Sequence, residues 1–103
     1  MYTLEIGDLV GWKGQLCVIA RFGEVGYVGI LPHVKLVPEK DVVLIHKRNH
    51  AVRFYGKWQR VVKQIISGND VKLLLSNGRI VGLDHPELEK GWKKRQLDKN
   101  HEI

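Results

Sequence analysis

Eight side chains suited to gripping phosphates and bases lie within seventeen positions: Lys47, Arg48, Arg53, Tyr55, Lys57, Trp58, Arg60 and Lys63. A guanidinium can bond a phosphate in bidentate fashion, an ammonium supplies a point charge, and a ring offers a plane on which a base stacks. No acidic residue stands between Asp41 and Asp70. The 28 positions from Val42 to Asn69 therefore carry six positive charges, against a net charge of +6 for the whole chain. The partner these residues imply is a polyanion: nucleic acid, DNA or RNA, or else an acidic protein. The chemistry suits single-stranded or irregular nucleic acid and contains no code for base sequence. A solvated sheet face, with Lys and Arg guarding an edge strand against aggregation, would look similar.

Other chemistries find less support. His46 and His50 are separated by three residues, a spacing that holds a metal on a helix. Here they bracket Lys47-Arg48-Asn49 in an expected loop, beside cations and without a nearby Cys or carboxylate. No metal or cofactor is expected. Cys17 sits among Leu16, Val18 and Ile19 and reads as a small buried hydrophobe. Asp84-His85 and Glu87 are explained more simply as a helix start, with Asp84 as cap and Pro86 in the first turn. The glycines form no phosphate-cradling loop before a helix. Enzymatic activity is not expected. A second basic cluster, Lys90, Lys93, Lys94 and Arg95 beside Trp92, either extends the footprint or keeps the terminal segment soluble.

Length and composition set the frame for these residues. At 103 residues with 44% apolar content, the chain can build one real core. No apolar run approaches the roughly 20 residues of a spanning helix, and the N-terminus shows no export signal. With one cysteine there is no disulfide framework. These features point to a cytoplasmic protein that does not enter membranes.

The dominant period is two. Strands are expected at Leu9–Trp12, Gln15–Arg21, Val25–Leu31, His33–Val37 and Val42–Ile45, with a turn over Pro38–Asp41. A second series follows at Ala51–Tyr55, Trp58–Ile66, Val71–Ser76 and Arg79–Leu83. Asn77-Gly78 predicts a tight hairpin of type I′, with positive φ at both central residues. Alternation directs Arg53, Tyr55 and Lys57 to one side and Phe54 to the core. Trp58 has two readings, a core ring or an exposed stacking surface. Residues 84–92 are expected to form a short helical turn. Gly11 and Gly23 are spaced as Gly56 and Gly68 are, offset by 45 positions, which suggests two similar meanders.

Each half resembles an SH3-like small barrel of the Tudor or KOW kind. In the first half the likeness rests on Ile6-Gly7-Asp8-Leu9-Val10, the hairpin of Gln15–Arg21 and Val25–Leu31, and the run from Val37 to Ile45. In the second it rests on Trp58-Gln59-Arg60-Val61-Val62, Val71–Leu75 and Asn77-Gly78-Arg79-Ile80-Val81. The resemblance implies binding rather than catalysis, with RNA, DNA, ribosomal surfaces or modified peptides as ligand classes. Rings for a Tudor-type cage would come from Trp12, Phe22 and Tyr27, or from Tyr55 and Trp58.

The expectation is an all-β protein of two SH3-like five-stranded halves in one compact unit. The first half covers residues 1–46, the second 51–98, and a polar tail 99–103. Its expected role is a non-enzymatic binding module for nucleic acid. The alternative is a protein-interaction module or small assembly subunit. That alternative pairs through an edge strand, as in a homo-oligomer, or uses Val71–Leu75 as an apolar interface.

Overall fold

Alternation along the chain yields nine strands among the described residues. The computed structural model describes residues 3–48 and 50–89. Strand β1 spans Leu9–Trp12, β2 Gln15–Phe22, β3 Tyr27–Leu31, β4 Lys35–Pro38 and β5 Val43–His46. A 3₁₀ turn at Glu39–Asp41 joins β4 to β5. The second series is β6 Ala51–Phe54, β7 Lys57–Ser67, β8 Asp70–Leu75 and β9 Ile80–Gly82. The first five strands form one sheet in the order β4-β3-β2-β1-β5, and the others a second in the order β6-β7-β8-β9. Every pairing between strands is antiparallel. The chain is all-β, and the 3₁₀ turn is the sole helical piece among the described residues.

The apolar run Leu16-Cys17-Val18-Ile19 looks wrong for a sheet with one wet face. Its two alternating sets enter two different cores. Cys17 and Ile19 join Val10, Trp12, Val28, Ile30, Val37 and Val42 in a core built from the first sheet alone. Leu16 and Val18, with Leu9, point the other way, onto Val52, Phe54, Val61, Val71, Leu73, Leu75 and Val81 of the second sheet. The first sheet is thus covered on both faces, which is why β1 and β2 read as nearly continuous apolar segments. The second sheet completes its core only by borrowing from the first.

Val71–Leu75 is not an open interface. β8 is flanked by β7 and β9. Val71, Leu73 and Leu75 are buried in the shared core, and of the apolar residues only Leu74, half-buried, faces outward, beside exposed Lys72.

Among the described residues two turns carry positive φ at both central residues, but Asn77-Gly78 is not one of them. They are Lys13-Gly14 (φ 46° and 77°) and Tyr55-Gly56 (φ 52° and 75°). The strand residues flanking each turn are paired, Trp12 with Gln15 and Phe54 with Lys57, as a two-residue type I′ hairpin requires. At the expected site only Gly78 is left-handed, at φ 87°. Gly78 N–H donates to the Leu75 carbonyl and Leu75 N–H to the Arg79 carbonyl, each at 2.9 Å. This is the longer loop in which a right-handed turn is followed by one left-handed glycine.

The helical turn expected from Asp84 does not form over the described part of that segment. Residues 84–89 run as turns, and Leu88 makes a one-residue bridge to Phe54. Tyr55 N–H donates to the Glu87 carbonyl at 3.2 Å and Glu89 N–H to the Arg53 carbonyl at 2.7 Å. The outer edge of β6 takes these backbone groups, so they do not close a helix. Trp92, the basic cluster at Lys90–Arg95 and the tail 99–103 lie outside the described residues.

Candidate functional site

The acid-free window is divided by the fold among three places. Lys47, just after β5, turns inward. Its ammonium donates to the Thr3 carbonyl at 2.7 Å and to Asp8 Oδ2 at 2.8 Å, and pairs with Glu5 Oε1 at 3.1 Å. An ammonium has three protons, and three acceptors take them. The hydrogen bond to Asp8 holds the Lys47 pKa above its ordinary value. Asp8 itself is fully buried and also accepts from the backbone N–H groups of Glu5 at 2.8 Å and Arg48 at 2.9 Å. Lys47 therefore serves the fold, and its charge is answered.

The largest group lies on the outer face of the second sheet. Residues opposite one another in a ladder share a face, as do alternate residues along a strand. Arg53 pairs with Trp58 and Ala51 with Arg60, on the side away from buried Val52 and Phe54. Both the N–H and the C=O of Arg53 bond Glu89, so Arg53 and Trp58 form a non-hydrogen-bonded pair, the kind whose side chains approach most closely. The guanidinium carbon of Arg53 lies 5.9 Å from the indole centroid. His46 meets the indole edge-on at 5.5 Å, and Trp58 still leaves 59% of its surface in solvent. Of the two readings, the exposed ring holds, and among the described residues it is Trp12 that enters a core.

A bulge brings Lys63 onto the same face. Arg60 and Lys63 are three apart, and a regular strand would send them to opposite sides. The β7–β8 register shifts between Val61 and Lys63, so that Val61 opposes Leu75 and Lys63 opposes Leu74. Val62 is the extra residue. Arg53, Trp58, Arg60 and Lys63 thus form an exposed row across two strands that contain no carboxylate. At the Arg53 end the buried Glu89 carboxylate accepts the Arg53 N–H at 2.7 Å and pairs with His46, and at the far hairpin Asp70 lies 3.9 Å from Lys72.

Tyr55 and Lys57 do not join this row. The strand stops at Phe54, and the left-handed turn sends the Tyr55 ring against Phe54 at 4.7 Å and His85 at 5.8 Å. Lys57 opposes Phe54 at the hairpin tip, where it is exposed. Arg48 lies at the seam of the two sheets, its stem over Gly7. The rings named for a cage in the first half do not assemble one, since Trp12 is buried while Phe22 and Tyr27 are exposed.

Sequence reasoning missed the groups that hold these side chains in place. Asp8 anchors the Arg48 backbone. Glu89, 1% exposed, receives the Arg53 N–H at 2.7 Å and pairs with His46. The one available signal was Asp8 itself, a lone carboxylate among Ile6, Leu9 and Val10.

His46 and His50 stack with their centroids 6.3 Å apart. Among the described residues no group of three His, Cys, Asp or Glu is placed to hold a metal ion. No helix among them is long and apolar enough to cross a membrane. Compared with protein-family models, curated proteins and solved structures, the chain matches none.

Proposed function

We propose that the chain is a non-enzymatic module that binds single-stranded or irregular nucleic acid on the outer face of β6 and β7. One observation carries this: Trp58 stands exposed on two strands that contain no carboxylate, with Arg53 over its ring and Arg60 and Lys63 in line. The indole offers a stacking plane and the cations offer phosphate partners. From Trp58 to Lys63 along β7 is roughly 16 Å, the reach of a few nucleotides. A titration of labelled single-stranded DNA and RNA, followed by fluorescence anisotropy at rising salt, tests this. With three or four cations engaged, the slope of log K against log salt is expected near −2 to −3. Absence of binding at low salt refutes it.

The same proposal reads each half as an SH3-like small barrel. In the first half, a meander of β1 to β4 is followed by a 3₁₀ turn and a strand that returns to β1. In the second half, β6 to β9 form the meander and Leu88 returns to β6. The parallel supports the 45-residue echo in the glycines.

A further inference from the structure

Where the first sheet's entry loop meets β7 there is a cleft of about 290 Å³, lined by Ile6, Gly7, Arg48, Lys63, Gln64 and Ile66. Its lining holds two cations and no acid. Neither Arg48 nor Lys63 forms an ion pair among the described residues. The two come from different halves of the chain, and each is held by its surroundings. The Arg48 backbone N–H is fixed by buried Asp8 at 2.9 Å. Its stem lies so close over Gly7 that a Cβ there would stand 2.9 Å from Arg48 Cδ, and Gly7 has φ 95°. On the other wall, Gln64 Nε2 donates to the Gly7 carbonyl at 2.5 Å, which ties β7 to the loop. Lys63 borders the cleft from the outer face of β7, to which the Val62 bulge turns it. Ile6 and Ile66, each about half exposed, leave apolar surface beside the cations.

We infer that this cleft binds the phosphate of a nucleotide unit, with Arg48 and Lys63 as its ligands and the sugar or base resting on Ile6 and Ile66. Two cations that border one cleft, with no ion pair among the described residues, favour an anion, and a guanidinium with an ammonium is a fitting pair for a phosphate. The volume is near the lower end for small-ligand sites, more than a bare phosphate needs. As the continuation of the Trp58–Arg60–Lys63 row the inference rests on the proposed nucleic-acid function. The shared chemistry, a nucleotide phosphate, has two sources: a strand, or a free mononucleotide.

The test is a ¹⁵N–¹H NMR titration of the full chain with inorganic phosphate, adenosine 5′-monophosphate and a short oligouridylate, on wild type, Arg48→Gln, Lys63→Gln and the double variant. Both side chains are exposed, and an unchanged amide dispersion certifies each variant's fold. Saturable shifts at the Gly7 amide and the Arg48 Nε–H are expected with all three probes. Affinity should fall about tenfold in each single variant, the loss of one charge-assisted contact. If phosphate and the mononucleotide bind here but the oligonucleotide binds nowhere, the site stands as one for free nucleotides and the strand reading fails. If the oligonucleotide binds through Trp58 but none of the variants weakens it and phosphate shifts nothing at Gly7, the inference is overturned while the nucleic-acid reading survives. No shift in the cleft with any probe also overturns it.

Discussion

Arg53 and Trp58 face one another across the β6–β7 ladder, with the guanidinium carbon 5.9 Å from the indole centroid. The cation caps one part of the ring and leaves the rest open. A base can then stack on an indole already made electropositive at its edge of contact.

Trp58→Ala should weaken single-stranded oligonucleotide binding by roughly tenfold or more, the usual size for one lost base–aromatic stack. Its cost in stability should stay under about 1 kcal/mol, because the ring is largely exposed. Trp58→Phe should recover part of the affinity. Lys47→Ala is the control from the same window: its charge is taken by Asp8 and Glu5, so affinity should stay within about twofold of wild type, against a clear loss in Arg60→Ala. Anisotropy titrations read all four. Equal losses from Lys47→Ala and Arg60→Ala would mean that total charge, not this face, governs binding.

Asp8→Ala should destabilise the chain by roughly 3 kcal/mol, since it removes a fully buried carboxylate that satisfies two backbone N–H groups and an ammonium. The Lys47 pKa is raised in the folded state. Its share of stability is therefore complete below the unfolded value, about 10.4, and is lost as pH rises through the folded one. Urea unfolding of the two proteins checks the difference.

Cys17 gives a second alkaline effect. Burial pushes its thiol up from the usual 9.0 to about 11. The folded chain holds the proton where the unfolded chain releases it, so stability is unaffected below pH 9 and declines between 9 and 11, by roughly 2 to 3 kcal/mol at the upper end. Cys17→Ala should remove that decline when its pH profile is subtracted from wild type. At neutral pH the native thiol should react with a disulfide reagent only as fast as the chain opens. Rapid native-state labelling would contradict the buried position.

Leu73→Ala should cost about 2 to 5 kcal/mol. Because Leu73 shares a core with Leu9, Leu16 and Val18, hydrogen exchange should speed up in β1 and β2 as well as in β7 and β8. Protection lost from the second sheet alone would mean that the halves unfold separately.

Much of this architecture is legible in the chain because strands announce themselves by alternation. The bounds of β1, β2, β7 and β8 fall close to the apolar-polar pattern. Leu16–Ile19 is the instructive exception: the run signals burial on both faces, but no local pattern tells which core takes which residue. Asn77-Gly78 carries the strongest hairpin signal and forms a hairpin, with a turn that Lys13-Gly14 and Tyr55-Gly56 would not have been expected to surpass in tightness. The candidate face was half legible. Residue types named the chemistry, but alternation placed Tyr55 beside Arg53, where a left-handed turn intervenes. It would also have separated Arg60 from Lys63, where a bulge at Val62 joins them. Bulges and left-handed non-glycine residues are chosen by tertiary packing, as are the long-range bonds of Asp8 to Arg48 and Glu89 to Arg53, so they leave little trace in local sequence.

Whether the outer face of β6 and β7 takes a nucleic-acid strand is read out by NMR shift mapping with an unlabelled single-stranded oligonucleotide. The largest shifts are expected at the Trp58 indole N–H and at the amides and side chains of Arg53, Arg60 and Lys63. Shifts confined to the exposed Phe22–Tyr27 region, or none at low salt, would contradict it.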